Sequence, residues 1–309
     1  MSAPPKTVLV TGCNPGGIGN SLAREFHRHG LRVFATARQT SSISDLAELG
    51  IETLSLEVTS DESVEALKQE VVSRTGGKLD YLVNNAGCNY TVPALDIEFD
   101  QVHKVFDVNV FGVMRMCKAF APLIIEAKGT IAQIGSLAGK MPYVFGSVYN
   151  ATKAALHSYS DTLRVELSPF GAKVMIVVTG GVKSRIDRTE WQLAQNSIYV
   201  PIEAEYQRRK HHSQEVGMPN EQYARTVVSQ LLKSTPKRQI WAGAKSTLVW
   251  FVTTFLPARV MVCCFHPLLV ALNVLLIKMT GLLLLAYLQL VEAARYQHEE
   301  TVVRGTPMP

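Results

Sequence analysis

Short apolar runs rich in β-branched residues recur at Thr7–Val10, Arg32–Thr36, Glu52–Leu56, Tyr81–Val83, Thr130–Ile134 and Lys173–Val178, and each reads as a strand. Helical patterns fill the intervals. At the third helix, Thr59-Ser60-Asp61-Glu62 supplies a capping box, and Arg74-Thr75-Gly76-Gly77 places a basic residue in the last turn with glycine at the stop. Strands alternating with helices predict a doubly wound α/β fold whose parallel sheet is covered on both faces. In such sheets ligands bind beyond the carboxyl ends of the strands.

The rhythm holds over residues 1–246, which read as one domain. Residues 185–220 interrupt it: they are polar, lack strand signals and follow the last clear strand, as expected of a lid over a substrate pocket. From Thr247 to Val291 the only formal charges are Arg259 and Lys278, and Val260 to Ile277 contains none. This predicts a membrane-associating segment at 247–291, followed by a polar tail at 292–309. Pro257 and Pro267 leave a straight span, a hairpin and an interfacial anchor open, alongside a helical tail packed on protein.

Composition narrows the function. With 309 residues and 47% hydrophobic content the chain can bury a sizeable core. The net charge is +5 and the 31 basic residues are scattered, which disfavours a nucleic-acid partner. Five cysteines without CxxC spacing suggest neither a disulfide framework nor a zinc site, and no metal is expected at Cys263, Cys264 and His266. The first residues lack the pattern of a secretory signal, so a cytosol-facing domain is expected.

The first strand runs into Thr11-Gly12-Cys13-Asn14-Pro15-Gly16-Gly17-Ile18-Gly19 and then a helix. Glycines there allow a tight turn, let the backbone approach a pyrophosphate and aim a helix N-terminus at its charge, as in a Rossmann-type nucleotide site. The second strand ends in Ala37-Arg38, with no acid for a ribose 2′-hydroxyl and an arginine suited to a 2′-phosphate. Further on, Tyr149 and Lys153 lie four apart on one helix face. A phenol near pKa 10 is a poor acid–base group at neutral pH, and an adjacent cation is expected to lower it. Ser136 ends a strand upstream, and Asn84-Asn85-Ala86-Gly87 follows the fourth strand.

Taken together these motifs resemble the short-chain dehydrogenase/reductase family over residues 7 to about 185. The resemblance implies a catalytic set of Ser136, Tyr149, Lys153 and Asn109. Tyr149 would be the acid–base residue, Lys153 its pKa modifier and a ligand of the nicotinamide ribose, Ser136 the donor that polarises the carbonyl, and Asn109 the support of a relay water. It implies NADPH/NADP+ held by Gly12, Gly17, Ile18 and Gly19 at the pyrophosphate and by Arg38 at the 2′-phosphate. Asn85, Ala86 and Gly87 would lie under the adenosine ribose, with Val182 and Ser184 flanking the nicotinamide amide. Three positions depart from the family pattern. Four residues, not three, separate Gly12 from Gly17; Glu57 stands where an aspartate usually touches adenine; and Thr179-Gly180 replaces Pro-Gly. A homodimer or homotetramer is common in this family.

Within the family, Lys78–Gly87, Gly135–Gly139 and Phe145–Tyr149 resemble fungal NADPH-dependent 1-acyldihydroxyacetone-phosphate reductases. That resemblance implies a hydrophobic ketone substrate at an endoplasmic-reticulum or lipid-droplet surface. Fungal ketoreductases of secondary metabolism, acting on polyketide, terpenoid or steroid-like ketones, share the same body. The run Arg208-Arg209-Lys210-His211-His212 reads either as a receiver of a substrate phosphate or anionic head group, or as a solvated helix face. A non-catalytic NADPH-binding lipid-surface protein is the rival of another class, and the complete catalytic set argues against it. No GxSxG occurs, which disfavours ester hydrolysis.

Overall fold

The computed structural model describes residues 4–184, 186 and 191–256. Seven strands, β1 (Thr7–Val10), β2 (Arg32–Ala37), β3 (Glu52–Ser55), β4 (Tyr81–Asn84), β5 (Thr130–Ile134), β6 (Lys173–Thr179) and β7 (Gln239–Ala242), form one parallel sheet. Their order is β3-β2-β1-β4-β5-β6-β7. The order reverses between β1 and β4, and crossovers to opposite faces open a crevice beyond the strand ends there. This is the expected Rossmann-type doubly wound sheet.

Alternating strand residues feed two apolar layers. Val8 and Val10 face a core with Phe26, Val33, Val83 and Val227, whereas Leu9 faces a second core with Leu67, Leu82, Phe120 and Leu156. Helices α1 (Ile18–Arg28), α2 (Ser44–Ala47) and α8 (Asn220–Leu231) supply the first layer. Helices α3 (Asp61–Thr75), α5 (Gly112–Glu126) and α6 (Ser147–Leu167) supply the second. Because both faces are covered, β4 and β5 are buried at every position, the polar Asn84, Thr130 and Gln133 included.

The helix α4 (Phe99–Phe106) passes into α5 through a π-helical turn at Asp107–Phe111. A π turn carries an extra residue per turn and re-aims the side chains that follow it, and here it carries Asn109. The run Phe99–Glu126 is apolar enough in composition to cross a membrane, yet Met116, Phe120 and Ile124 are spent on the core.

The third-helix signals stand with a shift of one residue. Ser60, not Thr59, caps α3 by accepting from the Ser63 amide at 3.1 Å, and Glu62 accepts from the Ser60 hydroxyl instead of closing a reciprocal box. Gly76 stops the helix in the left-handed conformation, as expected. The strand β7 was not anticipated: four residues between a Pro-Lys-Arg turn and Gly243 leave too short a period to read. Its pairing with β6 is decided by long-range contact.

The helix α7 (Glu203–Val216) lies within the span predicted to be a lid. The first residues of the apolar C-terminal segment form α9 (Ser246–Phe255), which packs against β7 with Val249 buried. The expectations for Pro257, Arg259, Val260–Ile277, Lys278 and the tail 292–309 lie outside the described residues.

Candidate active site

The site begins at the turn after β1. Gly12 has φ +72°, and a Cβ there would stand 2.9 Å from the Ala86 Cα, so the β1 and β4 turns touch backbone to backbone. Gly19 is equally constrained: a Cβ would lie 2.4 Å from the Gly12 carbonyl oxygen. Thr11 knits the junction, its hydroxyl accepting from the amides of Asn85 and Ala86, both at 2.9 Å. The Asn85 side chain donates back to the carbonyls of Thr11 (2.8 Å) and Gly12 (3.0 Å). The Asn85 side chain therefore helps to build the turn.

The extra residue of the glycine turn also has an anchor. Asn220, at the start of α8, donates to the Gly16 carbonyl at 3.0 Å. Nothing local in the sequence signals this contact, because the partners are 204 positions apart. Gly17 caps α1 without a side chain, leaving the first-turn amides of that helix for an anion.

Beyond the turn lies a cleft of about 540 Å³. Gly12, Gly17, Ile18, Arg38 and Glu57 line it from the β1–β3 side. Asn85, Ala86 and Gly87 line it from β4, and Ser184 closes it. Of the expected cofactor residues, Gly19 sits packed beneath the turn and Val182 is buried, bridged to Met218. Arg38 is exposed at the end of β2 and makes no ion pair among the described residues. Glu57 bends back to accept from the amide (3.2 Å) and hydroxyl (2.9 Å) of Thr59, so it shapes the β3–α3 turn. Lys104 and Asp107 also reach the cleft; they lay inside an ordinary amphipathic pattern and were not singled out.

The helix α6 carries the reactive groups. Lys153 is buried and its ammonium donates to the Ile134 carbonyl at 3.0 Å, two residues before Ser136. It lies 5.8 Å from the centre of the Tyr149 ring. Burial pulls the Lys153 ammonium down to about 8. Burial likewise pushes the Tyr149 phenol up to about 12, against a hydrogen bond with Ser136 that draws it down. Burial is the largest influence on the phenol in this structure, where the Lys153 ammonium donates to the Ile134 carbonyl.

Asn109 is fully engaged. Its amide donates to the Cys88 carbonyl (2.9 Å) and the Thr152 hydroxyl (3.1 Å), and its oxygen accepts from the Cys88 amide (2.9 Å). It clamps the loop after β4 to the residue beside Lys153.

One contributor was missed. His157, one turn beyond Lys153, is buried and its Nε2 accepts from the Ser136 amide at 3.3 Å. A Cβ on Gly135 would fall 2.3 Å from that nitrogen and one on Gly139 2.8 Å from the imidazole, so both glycines make room for it. The spacing Tyr149, Lys153, His157 places all three on one helix face, a signal that was legible but unremarked.

The family model described as short chain dehydrogenase matches residues 6–194. The chain is similar to an NADPH-dependent 1-acyldihydroxyacetone phosphate reductase of Schizosaccharomyces pombe, 49% identical over 202 residues, covering 63% of this chain and 68% of that one. It is similar to the short-chain dehydrogenase virD of Hypocrea virens, 42% identical, covering 82% of this chain and 89% of that one. Among solved structures it resembles a short-chain dehydrogenase from Streptomyces avermitilis with a TM-score of 0.71 at 28% identity, covering 81% of this chain and 92% of that one.

The His157 contact generates a stability prediction. Replacing His157 by Leu leaves the Ser136 amide without its acceptor and is expected to cost about 1–3 kcal/mol in urea denaturation at pH 7. Burial also lowers the folded imidazole to about 4 from its ordinary 6.5. Between those values the unfolded chain binds more protons, so the stability tied to neutral His157 is present above pH 6.5 and lost as pH falls through 4. The gap between wild type and His157→Leu should therefore narrow over that window; a constant gap would rule out the neutral-imidazole contact.

Proposed function

Because the chain belongs to the short-chain dehydrogenase/reductase family of oxidoreductases, we propose that it is an NADPH-dependent carbonyl reductase converting a ketone to a secondary alcohol. The single observation that carries the reading is the convergence of Ser136, Tyr149 and Lys153 between the end of β5 and the first turns of α6.

The residues present fit the cofactor. Gly12 and Gly19 leave no room for side chains where a pyrophosphate must approach, the α1 N-terminus is uncapped by any side chain, and Arg38 stands beyond Ala37 with no acid at that strand end. Bound there, NADPH supplies the hydride. The chain's own residues then manage the proton. With its phenol pushed up to about 12, Tyr149 is protonated at neutral pH, the form needed to deliver a proton from Oη to the carbonyl oxygen. Ser136 Oγ accepts from the Ala138 amide at 3.1 Å, which orients its hydroxyl to donate to the same oxygen. Lys153, at about 8, is mostly cationic at neutral pH and stabilises the phenolate left behind. Asn109 holds this frame from behind.

For the substrate, a lipid ketone such as 1-acyl-dihydroxyacetone phosphate is supported by the 49% identity to the relative of that name. A polyketide, terpenoid or steroid-like ketone of fungal secondary metabolism is the second reading, since such ketoreductases share this body. The stretch Val260–Ile277, without Asp, Glu, Lys or Arg, supports attachment to a membrane; the likeness to the reductase favours an endoplasmic-reticulum or lipid-droplet surface, and the NADPH site a catalytic domain facing the cytosol.

Three outcomes are expected. Tyr149→Phe should lower ketone reduction by about 10²–10⁴-fold with NADPH binding retained, measured by NADPH oxidation and fluorescence titration; wild-type turnover in the variant would end the assignment. The wild type should prefer NADPH over NADH by about tenfold or more in kcat/KM, the scale of one or two charge-assisted hydrogen bonds, and Ala37→Asp with Arg38→Gln should reverse the order. Full-length protein should sediment with membranes and resist carbonate extraction, while a chain ending at Phe255 is recovered soluble. A full-length protein soluble without detergent would remove the membrane proposal.

A further inference from the structure

Three consecutive turns of α6 hold the end of β5. The Tyr149 phenol is hydrogen-bonded to the Ser136 side chain, the Lys153 ammonium donates to the Ile134 carbonyl at 3.0 Å, and His157 Nε2 accepts from the Ser136 amide at 3.3 Å. Spacing of four residues puts the three groups on one helix face, which acts as a template for the segment from Ile134 to Ser136. Tyr149 and Lys153 have tasks in the proton transfer. His157, more deeply buried than either, has none.

The pairing of β5 with β6 ends at Ile134 and Val177, so Ser136 lies beyond the hold of the sheet. Its place is set by a short turn and by α6. Ser136 is extended, with φ −155° and ψ 154°, and caps the turn Leu137–Gly139. Its Oγ accepts from the Ala138 amide and its carbonyl from the Gly139 amide, both at 3.1 Å. His157 supplies the remaining partner, for the Ser136 amide. The ring is seated without slack: a Cβ on Gly135 would stand 2.3 Å from Nε2, and one on Gly139 would stand 2.8 Å from both Cε1 and the Lys153 carbonyl oxygen. Burial, with Lys140 and Lys153 nearby and Asp161 opposing them, keeps the imidazole neutral at pH 7 and able to accept.

We propose that His157 is a positioning residue for the carbonyl reduction: by holding the Ser136 amide it sets where the Ser136 hydroxyl stands relative to the Tyr149 phenol, and so how strongly the substrate oxygen is polarised. The proposal rests on the reductase reading given above. Two hydroxyl donors must meet one carbonyl oxygen, and a donor stabilises developing charge only if it is already in place when the charge forms. Tyr149 is fixed by its own helix, whereas Ser136 belongs to a different element. The contact from His157 ties the second donor to the helix that carries the first. An apolar side chain of similar size would fill the slot between Gly135 and Gly139 but leave the Ser136 amide without an acceptor, and the turn would then be free to shift.

The test is a double-mutant cycle in full-length enzyme in detergent, with NADPH and the fastest of three probes: 1-palmitoyl-dihydroxyacetone phosphate, 1-palmitoyl-dihydroxyacetone and 9,10-phenanthrenequinone. His157→Leu should lower kcat by about 10–100-fold, the scale of a misplaced donor, with NADPH binding by fluorescence titration unchanged. In a Ser136→Ala background the same substitution should cost less than about twofold, because residues that act as one unit give non-additive losses. His157→Gln, which keeps an acceptor for the amide, should recover most of the lost kcat. Where the Leu variant fails to fold, His157→Asn, polar but too short to reach the amide, runs the same cycle. Losses that multiply in the cycle, a kcat unchanged by His157→Leu, or a Gln variant as slow as the Leu variant would each overturn the proposal and leave the reductase reading intact. If none of the three probes supports NADPH oxidation, the proposal and the reductase reading fall together.

Discussion

The turns after β1 and β4 meet backbone to backbone, with Gly12 against Ala86 and the Thr11 hydroxyl shared between the amides of Asn85 and Ala86. This contact sits where the strand order reverses, and the rest of the site depends on it. It brings the uncapped end of α1 and the loop holding Gly87 to one cleft, and it leaves no space for side chains between them. Two polar groups that would be costly if unpaired, the buried Thr11 hydroxyl and the half-buried Asn85 amide, satisfy each other's neighbours across the junction. The close approach is thus held by hydrogen bonds as well as by the sheet.

A second clamp works from the other side of the sheet. The helix α6 is joined to the end of β5 by Lys153 on the Ile134 carbonyl and by His157 under the Ser136 amide, and to the β4 loop by Thr152 and Asn109. Every one of these partners is buried or half-buried, so each contact is strong only while the others exclude water. The same dryness sets the chemistry. It holds Tyr149 protonated and draws Lys153 down toward neutrality, two shifts of opposite direction that suit a donor beside a cation. Electrostatic order and mechanical order here have one cause, the burial of the first turns of α6.

Much of this was legible in the chain. Six of the seven strands, the glycine turn, the Ser136, Tyr149 and Lys153 set and the absence of an acid at the end of β2 all rest on local pattern or on fixed spacing along one element. The cleft residues Gly12, Gly17, Ile18, Arg38, Glu57 and Asn85–Gly87 were likewise placed together correctly. What was not legible depends on partners far apart. Asn220 on Gly16, Asn109 across to Cys88, and Arg209 over Tyr143 join segments with no shared period. Asn85 and Glu57 line the cleft as expected, and their side chains also hold turns of the protein itself.

The sequence by itself determined the order of strands and helices, the face each apolar residue would bury, and the residue types available at the ends of β1, β2, β4 and β5. Those follow from periodicity and from steric demands that act within a few residues. Only the tertiary structure decided how those groups behave: that burial pushes the Tyr149 phenol up, that His157 supports Ser136, and that Arg209 stacks on Tyr143 while Arg208 pairs on its own helix. Such outcomes turn on burial and on long-range contact, and neither is a property of any stretch of chain taken alone.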